Sequence, residues 1–310
     1  MRVLVTGSSG WLGTSLVPRL QRTGHDVVGL DPAPGPTTRI VGSIVDADLV
    51  RRTVHDHAIE AIVHAGALHK PDVARRPAAD FVAVNVHGTL NLLEAAVAPR
   101  SRVTRVVFTS TTSLMISSET RAGRAGGATA AVWVTEDMTG LRPRNIYGVT
   151  KLAAEHLCRL THQEHGLPIV ILRTARFFPE ADDMAHAITQ SDDNTKTNEF
   201  LFRRLSVEDA ADSHLAALDR APALGFDTFI VSAPTPFARD DCAALIADAP
   251  AVVARYFPGY RALYEQRGWT MFDSIDRVYD ATKATRTLGF TCRTGFAQKL
   301  GELRSQERNP

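Results

Sequence analysis

The sequence predicts an α/β chain built on a doubly wound parallel sheet, with a smaller C-terminal lobe. Three observations carry that expectation. Short apolar runs alternate with helical patterns through the first half of the 310 residues. The runs are apolar at every position rather than every second one, as strands buried on both faces are. A glycine-rich turn joins the first run to the first helical pattern.

Taken in order, Arg2-Val-Leu-Val-Thr6 reads as a buried strand, and Leu12, Leu16 and Leu20 recur at helical spacing behind it. Asp26 to Asp31 reads as the second strand, followed by strands at Ala61–Ala65 and Arg105–Ser110, with a helix over Phe81–Val97 between them. Leu167 to Leu172 is a further buried strand. Right-handed crossovers make such a series doubly wound. Past Phe177 the alternation weakens, and Glu180 to Asn198 is polar. The expected division is residues 1–175 with about 207–232 as one domain, and 176–206 with 233–310 as a smaller lobe. Ser117 to Ala131 is rich in Gly, Ala and polar residues and reads as a flexible loop, either a solvated insertion or a mobile flap.

Composition excludes several classes. Formal net charge is +1 and no run of basic residues occurs, so no nucleic-acid partner is expected. No stretch has the apolar length of a membrane span and the chain opens on a strand, so a soluble, cytoplasmic protein is expected. Three scattered cysteines (Cys158, Cys242 and Cys292) suggest reduced, mostly buried thiols rather than disulfides. His55, His57, His64 and His69 lack metal-ligand spacing, and no metal is expected.

The turn Thr6-Gly7-Ser8-Ser9-Gly10-Trp11-Leu12-Gly13 carries the first chemistry. Gly7 permits a tight turn, Gly10 a close backbone approach to pyrophosphate, and Gly13 close packing of helix on strand. The N–H groups around Ser9, Gly10, Trp11 and Leu12 then face an anion at a helix N-terminus. A Rossmann-type nucleotide site follows, because the glycines stand between strand and helix. Asp31 ends the second strand 18 residues after Gly13. A carboxylate there accepts the adenosine ribose hydroxyls and repels a 2′-phosphate, which favours NAD over NADP.

Tyr147-Gly-Val-Thr-Lys151 is the second constellation. Residues four apart share a helix face. A lysine ammonium one turn from a phenol, together with the nicotinamide charge, favours the phenolate, which could take a proton from a substrate hydroxyl. The cluster Phe108-Thr-Ser-Thr-Thr-Ser113 offers a hydroxyl partner at a strand end.

These residues together resemble the extended short-chain dehydrogenase/reductases, which include nucleotide-sugar epimerases and dehydratases. Gly7, Gly10 and Gly13 have that family's spacing. Gly42 to Asp46 is similar to the motif whose Asp contacts the adenine amine, and His64-Ala65-Gly66-Ala67 to the motif lying against the cofactor. Asn85-Val-His-Gly-Thr89, Val207-Glu-Asp209 and Asp280-Ala-Thr-Lys-Ala284 resemble three later signatures. The resemblance implies NAD as cofactor, a homodimer, Lys151 on the nicotinamide ribose, and Thr111 as the third catalytic residue, with Thr112 as runner-up. His69 and Lys70, after the fourth strand, are candidate substrate residues. Arg176, Arg203 and Arg204 are candidates to clamp a carboxylate or phosphate, against a plain reading as surface salt bridges.

Family dehydratases carry an Asp-Glu pair after the threonine, where this chain has Thr112-Ser113. Dehydration is therefore set aside. The stretch to Glu155 looks like that of sugar epimerases. Only 27 residues separate Pro179 from Val207, a shortened substrate segment, and Leu172 to Glu180 resembles the compact uronate dehydrogenases. The leading expectation is NAD-dependent oxidation or reduction of a secondary alcohol on a sugar-like substrate. Epimerisation of a nucleotide sugar through a transient ketone is the second reading. A non-catalytic NAD sensor is the third.

Overall fold

The computed structural model describes residues 1–179 and 190–308. Its centre is a seven-stranded sheet in the order β3-β2-β1-β4-β5-β7-β8, with all neighbours parallel. The strands are β1 (Arg2–Thr6), β2 (Asp26–Asp31), β3 (Ile40–Val41), β4 (Ala61–His64), β5 (Arg105–Thr111), β7 (Ile169–Thr174) and β8 (Phe226–Val231). Chain order reverses at β1, so β1 and β4 bound the crevice where α/β sheets take ligands beyond their strand ends.

Alternation inside the apolar strands supplies both layers. Val3 and Val5 point to a core shared with Leu12, Leu16 and Leu20 of α1 (Trp11–Arg22) and Ala210, Ala217 and Leu218 of α8 (Val207–Leu224). Leu4, Val28 and Leu30 point the other way. They meet Val50 and Val54 of α2 (Ala47–Asp56), Leu92 and Leu93 of α4 (Gly88–Val97), and Ala154 and Cys158 of α6 (Ile146–His165). The helix expected over 81–97 begins as α3 (Ala78–Phe81) and passes through a π-helical turn, Val82–His87, before α4. Such turns gather at functional sites.

A separate core holds the C-terminal lobe. Phe200 to Phe202 follow α7 (Asp192–Glu199). They pack with Phe237, Leu245, Val253, Leu263, Phe296 and Leu300 from α9 (Cys242–Ala247), α10 (Ala249–Tyr256), α11 (Tyr260–Glu265), α13 (Phe296–Arg308) and their connections. Tyr279, Ala284, Leu288 and Phe290, which the sequence places in the lobe, join the core of the main sheet instead. They lie on or after β9 (Arg277–Tyr279) and α12 (Thr282–Leu288).

The Gly/Ala-rich stretch is not the flexible loop its composition suggests. It forms α5 (Ser118–Ala122) and a 3₁₀ turn, Gly123–Gly126, and then β6 (Val132–Val134), which pairs with β9. Backbone bonds seat it on the lobe: Ala131 N–H donates to Cys242 O at 2.8 Å and Val132 N–H to Asp276 O at 3.0 Å. Composition reports the small side chains but not the backbone partners that order them.

Among the described residues the cysteines are free thiols, no helix is long and apolar enough to cross a membrane, and no cluster of three or more metal-ligating side chains occurs.

Candidate active site

The phosphate loop closes by sterics. Gly7 has φ +72°, and a Cβ there would lie 2.8 Å from Gly66 Cα. A Cβ on Gly13 would lie 2.3 Å from Gly7 O, so no side chain fits between helix and loop. The β4 end is drawn onto the same loop: Ala65 N–H reaches Thr6 O at 3.3 Å, and Gly66 N–H reaches Thr6 Oγ1 at 3.1 Å.

Helix α1 starts with Gly10 as its N-cap, with no side chain capping it and no acidic residue in its first turn. The amides of Trp11, Leu12 and Gly13 are therefore left for an anion. At the far side, Asp31 ends β2, nearly buried, and accepts from Ser9 N at 3.1 Å and Ala33 N at 2.8 Å. An uncapped helix start beside a fixed carboxylate fits the diphosphate and ribose of a dinucleotide.

Three other predicted cofactor residues are engaged within the protein. Asp46 is exposed and caps α2, accepting from Leu49 N at 2.9 Å. His64 is buried and its ring is held on both sides, Nδ1 by Thr6 Oγ1 at 2.7 Å and Nε2 by Thr89 Oγ1 at 3.0 Å. Burial, with Lys151 nearby, lowers its pKa well below the usual value, so this imidazole is a neutral brace at the strand end. Asn85 lies in the π turn. Its amide bonds both backbone groups of Leu68 and the hydroxyl of Thr150 at 3.1 Å. It thereby fastens the β4 loop to α6.

The reactive residues meet at the C-terminal end of β5. Asn145 caps α6, accepting from Gly148 N at 2.9 Å, and so fixes Tyr147 in the first turn. The Thr111 hydroxyl stands beside the Tyr147 phenol and draws its pKa down. Burial nevertheless pushes that phenol up to about 12. In the protein alone, Thr111 lowers the phenol and burial outweighs it; the nicotinamide charge, the other half of the expectation for a phenolate, acts only when the cofactor is bound. Lys151 lies one turn on, 3% exposed, its Nζ 4.0 Å from the Phe108 ring centroid. Burial brings it down to about 8, while Cys158 and Glu155 pull it back up. Thr112, the alternative hydroxyl, turns away and donates to Thr174 O at 3.3 Å.

Of the candidate substrate residues, His69 stacks on Phe178 with centroids 4.7 Å apart, and Phe178 stacks on Phe177 at 4.5 Å. Lys70 opens a 3₁₀ turn, Lys70–Ala74. Arg203 and Arg204 are buried rather than surface groups. They grip the buried Glu199 carboxylate at 2.8 and 2.7 Å, with Arg176 at 3.9 Å. Glu180, which ended the Phe-Pro-Glu motif, lies outside the described residues.

Sequence reasoning missed a second buried pair. Glu155 accepts a two-armed bond from Arg173, at 3.0 Å from Nε and 2.7 Å from Nη2, and a third from Ser110 at 2.5 Å. The signal was a glutamate on the lysine's face one turn later. Two late motifs are structural clasps. Asp209 accepts from Arg293 N and Thr294 N, at 2.8 and 3.0 Å, and Lys283 reaches Thr228 O at 3.0 Å.

Comparison with known proteins agrees with this architecture. The family model described as "NAD dependent epimerase/dehydratase family" matches residues 3–225. A UDP-glucose 4-epimerase of Azospirillum brasilense is 32% identical over 181 residues, 56% of this chain and 48% of that protein. A dTDP-glucose 4,6-dehydratase of Streptomyces niveus is 32% identical over 193 residues, 56% of this chain and 53% of that one. The matches thus span about half the length of these curated relatives. In fold, the chain resembles a UDP-N-acetylglucosamine 4-epimerase from Bacillus cereus over all of both chains, with a TM-score of 0.66 and 22% identity. The chain belongs to the NAD-dependent epimerase/dehydratase family, the extended branch of the short-chain dehydrogenase/reductases.

Proposed function

We propose that the protein epimerises a nucleotide sugar, converting a secondary alcohol to a ketone and back on the opposite face. The observation that carries this reading is the buried Thr111–Tyr147 contact with Lys151 one turn behind it. The expectation from the sequence put net dehydrogenation first; relatives named as UDP-sugar epimerases favour the return of the hydride. A structural neighbour bound to UDP-glucose and NAD supports the same substrate class.

When bound at the α1 N-terminus, NAD supplies the hydride acceptor and donor. The protein's own groups handle the proton. The Tyr147 oxygen receives it from the substrate hydroxyl. Thr111 donates to the reacting oxygen and holds it in line. With its pKa near 8, Lys151 is still mostly charged at pH 7 and supplies the positive charge a buried phenol needs to act as a base. The Phe177–Phe178 wall and the Arg176, Arg203 and Arg204 group border the substrate side. We further propose a homodimer through the α4–α6 face, where Val149 and Leu160 of α6 are each 48% exposed.

Net dehydrogenation keeps one specific support, the 27-residue segment from 180 to 206. The experiment is incubation with NAD and a panel of nucleotide sugars, free sugars and uronates. Epimerisation predicts a stereoisomer by NMR and no lasting NADH. NADH accumulation in step with substrate loss would overturn it in favour of dehydrogenation. NAD binding with no conversion of any panel member would favour the sensor.

A further inference from the structure

Trp11 opens α1, and at 46% exposure its ring is not accounted for by core packing. Its indole Nε1 donates to Phe177 O at 3.1 Å, across 166 residues of chain. Phe177 stands three residues beyond Thr174, and Thr174 pairs with Thr111 on the neighbouring strand. Thr174 thus lies roughly one strand spacing (~4.8 Å) across the sheet from the reacting threonine, and the acceptor follows three residues along the same chain segment. Beyond core packing, three contacts among the described residues hold the Phe177–Phe178 wall. His69 stacks on Phe178, Arg204 donates to Phe178 O at 2.8 Å, and Trp11 holds Phe177. Of the three, only Trp11 stands on the helix turn whose free amides face an anion.

We propose that Trp11 is a positioning residue. Its indole N–H fastens the Phe177–Phe178 wall to the dinucleotide loop, so that filling the loop with a diphosphate steadies the wall. A phenylalanine at position 11 would give much the same ring but no N–H. The coupling is that of a single hydrogen bond, about fivefold. By linkage, a steadied wall favours the diphosphate by the same factor. The inference rests on the loop taking a dinucleotide and not on which reaction follows.

The test uses ADP-ribose, which fills the diphosphate site without placing a nicotinamide against the wall. Hydrogen exchange is followed in the 174–179 stretch, where Ala175 N–H bonds Val231 O at 2.8 Å and Arg176 N–H bonds Arg203 O at 3.2 Å. ADP-ribose is expected to slow exchange there about fivefold in the wild type. Trp11→Phe should still bind ADP-ribose, by calorimetry, but lose that slowing. His69→Ala, which loosens the wall from its other side, should keep it. Equal slowing in the wild type and Trp11→Phe overturns the proposal, as does bound ADP-ribose with no slowing in the wild type. Failure of ADP-ribose to bind removes the dinucleotide reading and this inference together. Binding and slowing without turnover would fault only the proposed reaction.

Discussion

Two buried charges stand one turn apart on α6, and the fold treats them in opposite ways. Lys151 has no carboxylate partner among the described residues; its ammonium rests over the Phe108 ring. Glu155 is fully engaged by Arg173 and Ser110. Both side chains are nearly excluded from water, so solvent does not explain the difference. The engaged pair ties α6 to β5 and β7, the two strands that bring Thr111 and the Phe177 wall into place. The cation left without a carboxylate lies over the Phe108 ring, one helical turn along α6 from Tyr147. Neutralising Lys151 would lower the cost of burying it and remove the charge the chemistry uses, which is how stability and activity come to oppose each other at a site.

The comparison breaks most visibly at the phenol. Tyr147→Phe keeps the ring and deletes the proton acceptor. Turnover is expected to fall by about 10²–10⁴, the usual weight of a positioned acid–base group, while NAD affinity stays within about twofold. Single-turnover kinetics beside a binding titration checks both. Near-normal turnover would remove Tyr147 from the chemistry.

The engaged pair gives the next effect. Glu155→Ala leaves the Arg173 guanidinium buried without its carboxylate and should cost about 3–5 kcal/mol. Replacing both, Glu155→Met with Arg173→Met, should recover most of it, because a matched apolar pair carries no desolvation penalty. Urea midpoints of the three proteins decide. If the double variant is as unstable as the single, the pair contributes more than neutrality.

Lys151→Met sharpens the contrast, since it should abolish turnover yet stabilise the protein without cofactor. The lysine pKa falls from 10.5 to about 8 on folding. Between those values the unfolded chain holds a proton that the folded chain lacks, so stability rises with pH across that window. Below pH 8 the penalty is complete, roughly 3 kcal/mol as an order of magnitude. Tyr147 opposes this above pH 10, where the unfolded phenol ionises and the folded one, near 12, does not. Wild-type stability should therefore climb from pH 8 to about 10, and Lys151→Met should lose the climb. Parallel pH profiles for the two proteins would mean the lysine is not penalised by burial.

Much of this site was legible because its parts are local. The glycine loop, Asp31 at a strand end and Tyr147 with Lys151 on one helix face each follow from spacing within a single element or turn. What spacing cannot give is the partner of a residue in another element. Glu155 meets Arg173 18 residues away, and Trp11 meets Phe177 across 166. The arginines near position 203 left a substrate clamp and surface salt bridging both open, because nothing in the pattern marks Glu199 as buried beneath them. His64 matched a cofactor motif by position, yet its two ring nitrogens are held by threonines on β1 and α4. Motif position identified the strand end correctly; only the contacts say what the side chain does there.

The smallest effect concerns the stretch whose composition was most misleading. Arg124 Nη1 donates to Ala247 O at 3.2 Å and lies on the exposed rim of the docked insertion. Arg124→Ala should cost under about 1 kcal/mol, because water replaces a rim bond readily. The order of the whole stretch is the stronger claim. A flap would expose Arg121 and Arg124 to trypsin before any other site. A docked strut, held by the Ala131 and Val132 amides and paired through β6, must first detach from the lobe. Limited trypsin digestion of the native protein should therefore leave both bonds intact while slower global opening governs the cleavage rate. Early cuts at Arg121 or Arg124, with the rest of the chain still folded, would restore the flap.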